Sequence, residues 1–151
     1  MISSCDIRQA APTDAIQIAQ LVTSLAHFYL DKPQDKLPAW LSETLTEGAF
    51  AERLSSNEYR NTVYLVDGKI VGYISIKNPS HLYHLFVSEQ YQGKGIARLL
   101  WNHVLKTDQY STMTVRSSKH AIPVYKQLGF VESAPIGVKD GISFQPMVLK
   151  F

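Results

Sequence analysis

Val87-Ser-Glu-Gln-Tyr-Gln-Gly-Lys-Gly-Ile-Ala97 stands between an alternating run, His81 to Val87, and a helix-period run, Gly95 to Lys106. Gly93 and Gly95 permit positive φ and close backbone approach, and Gly95 falls where the helix begins. A helix N-terminus leaves backbone N–H groups unpaired, and its dipole favours negative charge. The turn is therefore shaped to cradle an anion such as a pyrophosphate. Two other phosphate motifs fail here. A dinucleotide fingerprint needs a third Gly or Ala where Arg98 stands, and no Gly-Lys-Ser/Thr of a P-loop is present. The glycine pair alone is equally compatible with a plain helix-opening turn.

Outward from this turn the pattern alternates between periods of two and 3.6. Upstream, Thr62 to Val66, the type I′ turn signal Asp67-Gly68, and Lys69 to Ile76 form a hairpin, and Asn78-Pro-Ser80 turns into the strand His81–Val87. Before it, Cys5 to Ala10 reads as a short strand. Thr13 is expected to cap a helix carrying Ile18, Leu21, Val22, Leu25, Phe28 and Tyr29, with Asp14 in its first turn. Pro33 and Pro38 end that helix, and a second helical region from Ala39 is expected to divide at Gly48. Downstream, Gly95 to Lys106 is expected to be helical, with Ile96, Leu99, Leu100, His103 and Val104 on one side. Thr112 to Arg116 is a strand, and Lys119 to Leu128 a helix closed by Gly129. Phe130–Ser133 and Ser143–Lys150 complete a mixed α/β sheet with helices on its faces.

Composition narrows the function classes. The chain has 151 residues, 45% hydrophobic and 19% charged, which fits a globular core in one domain, 1–151, without repeats or linkers. Fifteen Lys and Arg against thirteen Asp and Glu give a net charge of +2, with no basic cluster for nucleic acid. Cys5 is the one cysteine, so no internal disulfide forms; it reads as a small core residue. Met1–Asp6 shows no leader pattern and no window reaches the length of a membrane span, so the expectation is a soluble, cytoplasmic protein. His27, His103 and His120 lack metal-ligand spacing, and no metal is expected.

Gln92-Gly-Lys-Gly-Ile-Ala97 resembles the Gln/Arg-x-x-Gly-x-Gly/Ala signature of the GNAT superfamily of acetyl-CoA-dependent N-acyltransferases. Ala121-Ile-Pro-Val-Tyr-Lys-Gln-Leu-Gly-Phe130 resembles that family's closing motif, and the order of elements is also similar to theirs. The resemblance implies a mostly antiparallel mixed sheet, splayed between the fourth and fifth strands, with helices on both faces. It implies acetyl-CoA as acyl donor, with Leu85, Phe86 and Val87 pairing with pantetheine. Gln92, Gly93, Lys94, Gly95, Ile96, Ala97 and Arg98 would hold the pyrophosphate. Ser118 stands where the family often has Asn; it reaches less far but can still bond pantetheine.

Acetyl transfer to an amine needs a neutral nucleophile, a stabilised oxyanion and a proton for the leaving thiolate. Tyr125 stands at the family's tyrosine position and becomes the general-acid and pantetheine-side candidate; otherwise it is a packed aromatic. Strand alternation puts His81, Tyr83, Leu85 and Val87 on one face and Leu82, His84 and Phe86 on the other. His81 is the leading base or water-positioner, weighed against a surface histidine. Tyr83 is a lining or a packed residue, and His84 is the second base candidate if a bulge re-aims it. Phe28 and Tyr29 come from the helical region that, by the resemblance, would cover the acceptor site, so they are the substrate-site candidates. Asp31, Asp35, Glu43 and Glu47 could draw in a small cationic amine, or simply be solvated. The expected function is N-acetylation of a small primary amine; alternatives are a peptide or protein acceptor, or a non-catalytic acyl-CoA sensor. A homodimer is possible.

Overall fold

The computed structural model describes residues 4–151; Met1, Ile2 and Ser3, part of the stretch read as carrying no leader, lie outside the described residues. Strands β1 (Cys5–Gln9), β2 (Tyr59–Val66), β3 (Lys69–Lys77), β4 (His81–Val87), β5 (Thr112–Ser118), β6 (Val131–Glu132), β7 (Gly137–Lys139) and β8 (Ile142–Lys150) form one sheet. Its order is β1-β2-β3-β4-β5-β8-β6, with β7 also on β8. Only β4 and β5 run parallel, and they meet at two rungs, His81 with Thr114 and Leu82 with Val115. Beyond those rungs the strands part. The splay expected between the fourth and fifth strands is thus present.

Helices α1 (Ala15–Leu25), α2 (Ala39–Thr44) and α3 (Glu47–Ser55) cover one face. They bury Ile18, Val22, Leu25, Leu41 and Phe50 against Val63, Leu65, Ile70 and Tyr73. Helices α4 (Ile96–Thr107) and α5 (Ile122–Leu128) cover the other, over Ile74, Ile76, Leu82, Met113 and Val115. On α4 the buried residues are Ile96, Leu100, Trp101 and Val104. Each large apolar side chain taken from water this way stabilises by about 1.5–3 kcal/mol. Leu99, expected on the same side, is 45% exposed. The helix sits close because Gly72 lies beneath it: a Cβ there would be 3.1 Å from both Ile96 and Leu100. No helix among the described residues is long and apolar enough to cross a membrane.

Several local expectations are corrected. Thr13 does not cap α1, because Pro12–Asp14 forms a 3-10 turn. Asp14 instead reaches back to accept from the Ala11 N–H at 2.8 Å and pairs with Arg8 at 2.7 Å. The second helical region breaks at Thr46, whose hydroxyl accepts from the Ala49 N–H, so Gly48 falls inside α3. A hydroxyl at the N-cap outweighs one glycine as a boundary. Helix α5 starts at Ile122, not Lys119: Pro123 fits only its first turn, and the Ser118 hydroxyl accepts from the Ala121 N–H to shape the approach. Residues 137–139, outside every strand expected from the sequence, pair with β8 through the Asp140-Gly141 turn. Cys5 is exposed rather than core, since β1 is an edge strand.

Candidate active site

The parting of β4 from β5 opens a cleft of about 430 Å³ that runs through the sheet from the start of α4 to the end of α1. At the α4 end the backbone does the work. Gly93 has φ 76° and Gly95 φ 82°, and the first helical bond joins the Leu99 N–H to the Gly95 carbonyl at 3.0 Å. The N–H groups of residues 93–98 therefore carry no backbone partner among the described residues. A Cβ at either glycine would meet nothing within 4 Å, so the turn faces open space. Gln92 braces it by donating to the Val87 carbonyl at 2.9 Å. Arg98 lines the cleft and donates to the Gln127 carbonyl, tying α4 to α5.

Of the residues expected to hold the donor, Leu85, Phe86, Val87, Gln92, Gly93, Gly95, Ile96, Ala97, Arg98, Ser118 and Tyr125 line this cleft, and Lys94 does not. Lys94 instead lies over the Tyr91 ring, 5.3 Å from its centroid. Tyr125 is buried at the wall, edge-on to Phe130, and burial holds its hydroxyl well above the ordinary phenol range. It therefore stays protonated at neutral pH. Tyr29, across the cleft, is raised likewise by burial and then by Tyr125 and Tyr83. Phe28 also lines the cleft and stacks on His120 at 4.1 Å, joining the end of α1 to the β5–α5 turn.

The base candidates lie elsewhere. His81, Tyr83 and His84 are not in the cleft wall. A bulge explains their placement: Ser75 pairs with His84 and Ile76 with Leu82, which leaves Tyr83 unpaired and breaks the expected alternation. Leu82, Leu85 and Val87 consequently pack with the α4–α5 side, while His84 and Phe86 turn to the α1–α3 side. Tyr83 packs against Tyr59, His84 and the Arg53 guanidinium. His84 is buried between Phe50, Tyr73, Tyr83 and Phe86, and among the described residues neither ring nitrogen has a partner. Burial first, and Arg53 second, push its pKa down to about 3. His81 bonds the Thr114 hydroxyl through Nδ1 at 2.8 Å, and burial, Arg116 and Lys77 lower its pKa. Both histidines are neutral at pH 7.

Sequence reasoning passed over Arg116, His120, Tyr91, Val124 and Gln127, all of which line the cleft. Arg116 shares a β5 face with Ser118, so strand alternation could have found it. Among the described residues no carboxylate lines the cleft. Of the acids thought able to attract a cation, Asp31 accepts from the Ser143 hydroxyl at 2.8 Å.

A family model described as an acetyltransferase (GNAT) domain matches residues 29–151. Among solved structures, a GCN5-related N-acetyltransferase from Rhodopseudomonas palustris is similar with a TM-score of 0.77 at 24% identity, over 100% of this chain and 99% of its own. An N-acetyltransferase from Thermoplasma acidophilum, solved with coenzyme A, gives 0.72 at 17% identity over 98% and 99%. A ribosomal-protein-alanine N-acetyltransferase from Escherichia coli gives 0.71 at 21% over 97% and 94%.

Proposed function

The chain belongs to the GNAT acetyltransferases, and on that premise we propose that it transfers the acetyl group of acetyl-CoA to the primary amine of a small molecule. The observation that carries this reading is the continuity of the cleft, from six unpartnered N–H groups at the start of α4 to the buried Tyr125 hydroxyl. Those residues fit the donor: N–H groups and a helix dipole suit a pyrophosphate, and strand edges left bare by the splay suit the amides of pantetheine. Bound acetyl-CoA supplies an activated thioester. The backbone of Leu85 to Val87 aligns it, and the walls of α4 and α5 exclude water from its length.

Tyr125 donates a proton to the departing sulfur. Burial keeps the hydroxyl protonated at neutral pH and so available to donate. The same burial makes it a weaker acid than a free phenol, so the proton moves toward the sulfur only as thiolate charge develops there. His81 acts at one remove. Its Nδ1 is bonded to Thr114, leaving the neutral Nε2 to accept the amine proton through intervening water. His84 is too weak a base and too sealed for that role. At the acceptor end the stacked Phe28–His120 pair and Tyr29 narrow the opening, which favours a small acceptor over a folded protein.

A screen of small amines and peptides with acetyl-CoA, read by free thiol release, tests the reading. Release with small amines is the expected result. Release only with peptides would move the acceptor class, and acetyl-CoA binding without release from any acceptor would favour the sensor alternative.

A further inference from the structure

The acceptor end of the cleft holds one cation and no counter-charge. Arg116 projects from β5 on the side of Thr114, opposite buried Met113 and Val115. Its guanidinium lies over the Phe144 ring of β8, 5.4 Å from the centroid. That ring is seated by Gly137 on β7, where a Cβ would come 2.4 Å from Phe144 Cζ, so no other residue leaves room for it. Among the described residues no carboxylate lies within ion-pair distance of Arg116, and none lines the cleft. The other lining arginine, Arg98, is at the far end and engaged with Gln127. Phe28, Tyr29 and Phe86 line the same cleft as Arg116. A bare alkylammonium would meet positive charge there with nothing to attract it.

We propose that the acceptor carries an oxyanion, carboxylate or phosphate, beside its primary amine, and that Arg116 receives it. The proposal rests on the acetyltransferase reading and names the substrate class for the same site. The planar guanidinium, steadied by the Phe144 ring, presents paired donors that match either oxyanion. Arg116 and Ser118 lie two residues apart on β5 and both line the cleft, so an oxyanion held at Arg116 would keep the acceptor beside the residues proposed to hold the donor.

Thiol release with acetyl-CoA is compared for α-, β- and γ-amino acids against the same amines without the carboxylate, and for phosphoethanolamine against ethanolamine. The anionic member of each pair should show kcat/KM higher by about 10- to 100-fold, the worth of a charged hydrogen bond. Whichever arm gains more identifies the oxyanion. Arg116→Gln, at an exposed side chain that folding does not need, should erase that preference and leave KM for acetyl-CoA within about twofold. Equal or faster turnover of the bare amines would overturn the proposal, as would an Arg116→Gln variant altered only in its KM for acetyl-CoA. Either outcome leaves the acetyltransferase reading intact. Calorimetric binding of acetyl-CoA with no release from any acceptor would end that reading, and this proposal with it.

Discussion

The two ends of the cleft are built from different materials. At the α4 end the chain presents its own backbone, six N–H groups in a row shaped by two left-handed glycines. At the α1 end it presents side chains gathered from distant stretches: Phe28 and Tyr29 after the first helix, Arg116 on β5, His120 beyond it. A backbone site is contiguous in sequence and indifferent to side-chain identity, so it suits the part of a reaction that never varies. A side-chain site can be rewritten one residue at a time. On the proposed function, the molecule separates donor binding from acceptor choice, with Tyr125 in the wall of the shared cleft.

Four variants probe that separation, in falling order of effect. Gly95→Val should abolish acetyl-CoA binding by calorimetry while the protein stays folded. At φ 82° a β-branched residue is strained, yet its Cβ meets nothing within 4 Å, so the damage falls on the turn's geometry. Wild-type affinity would show that the backbone end is not where the donor sits. Tyr125→Phe keeps the ring and removes the hydroxyl. Turnover should fall by about 10²–10⁴-fold, less with acyl donors whose thiol is more acidic, at nearly constant acetyl-CoA affinity. Full activity would return Tyr125 to a packing role.

His81→Ala tests the side-chain end more gently. A relay that works through water should lose about tenfold at neutral pH and recover as rising pH deprotonates the amine itself. A pH–rate profile superimposable on wild type would remove His81 from the chemistry. The smallest effect belongs to His84, and it concerns stability. Its folded pKa of about 3 lies below the unfolded value near ~6.5, so the unfolded chain binds the extra proton between those limits. Its contribution to stability is intact above pH ~6.5 and lost as pH falls, about 1 kcal/mol by pH 5.5. Urea midpoints across that range should drop for wild type and flatten in His84→Phe; equal slopes would mean that His84 finds a partner on protonation.

The same contrast explains what the sequence disclosed. The α4 end of the cleft was legible because Gly93, Gly95 and the closing Tyr125-to-Phe130 stretch write backbone geometry into local pattern. The order of elements followed from the alternating periods, and the splay from the family resemblance that those motifs carry. Strand alternation, though, misassigned the β4 faces, because an unpaired Tyr83 carries no mark in its own neighbourhood and is set by Ser75 and Ile76 on another strand. Gly48 was read as a break where Thr46, a capping hydroxyl two residues earlier, does the breaking. β7 was missed because three residues with exposed Val138 have no inward face to detect. Arg116 and His120 are ordinary surface residues until β5 parts from β4.

The two rungs joining β4 to β5 have a mechanical consequence. Backbone hydrogen bonds hold the two plates of the sheet together at a single corner, like a rivet. Stiffness against opening must come from packing: Ile96 and Leu100 press on Gly72 in one plate, and Trp101 meets Phe130 and Phe151, at 5.5 and 6.2 Å, beside the other. Helix α4 is thus the spring of the hinge as well as one wall of the cleft. Any ligand that fills the gap would take up part of the load the missing rungs would have carried.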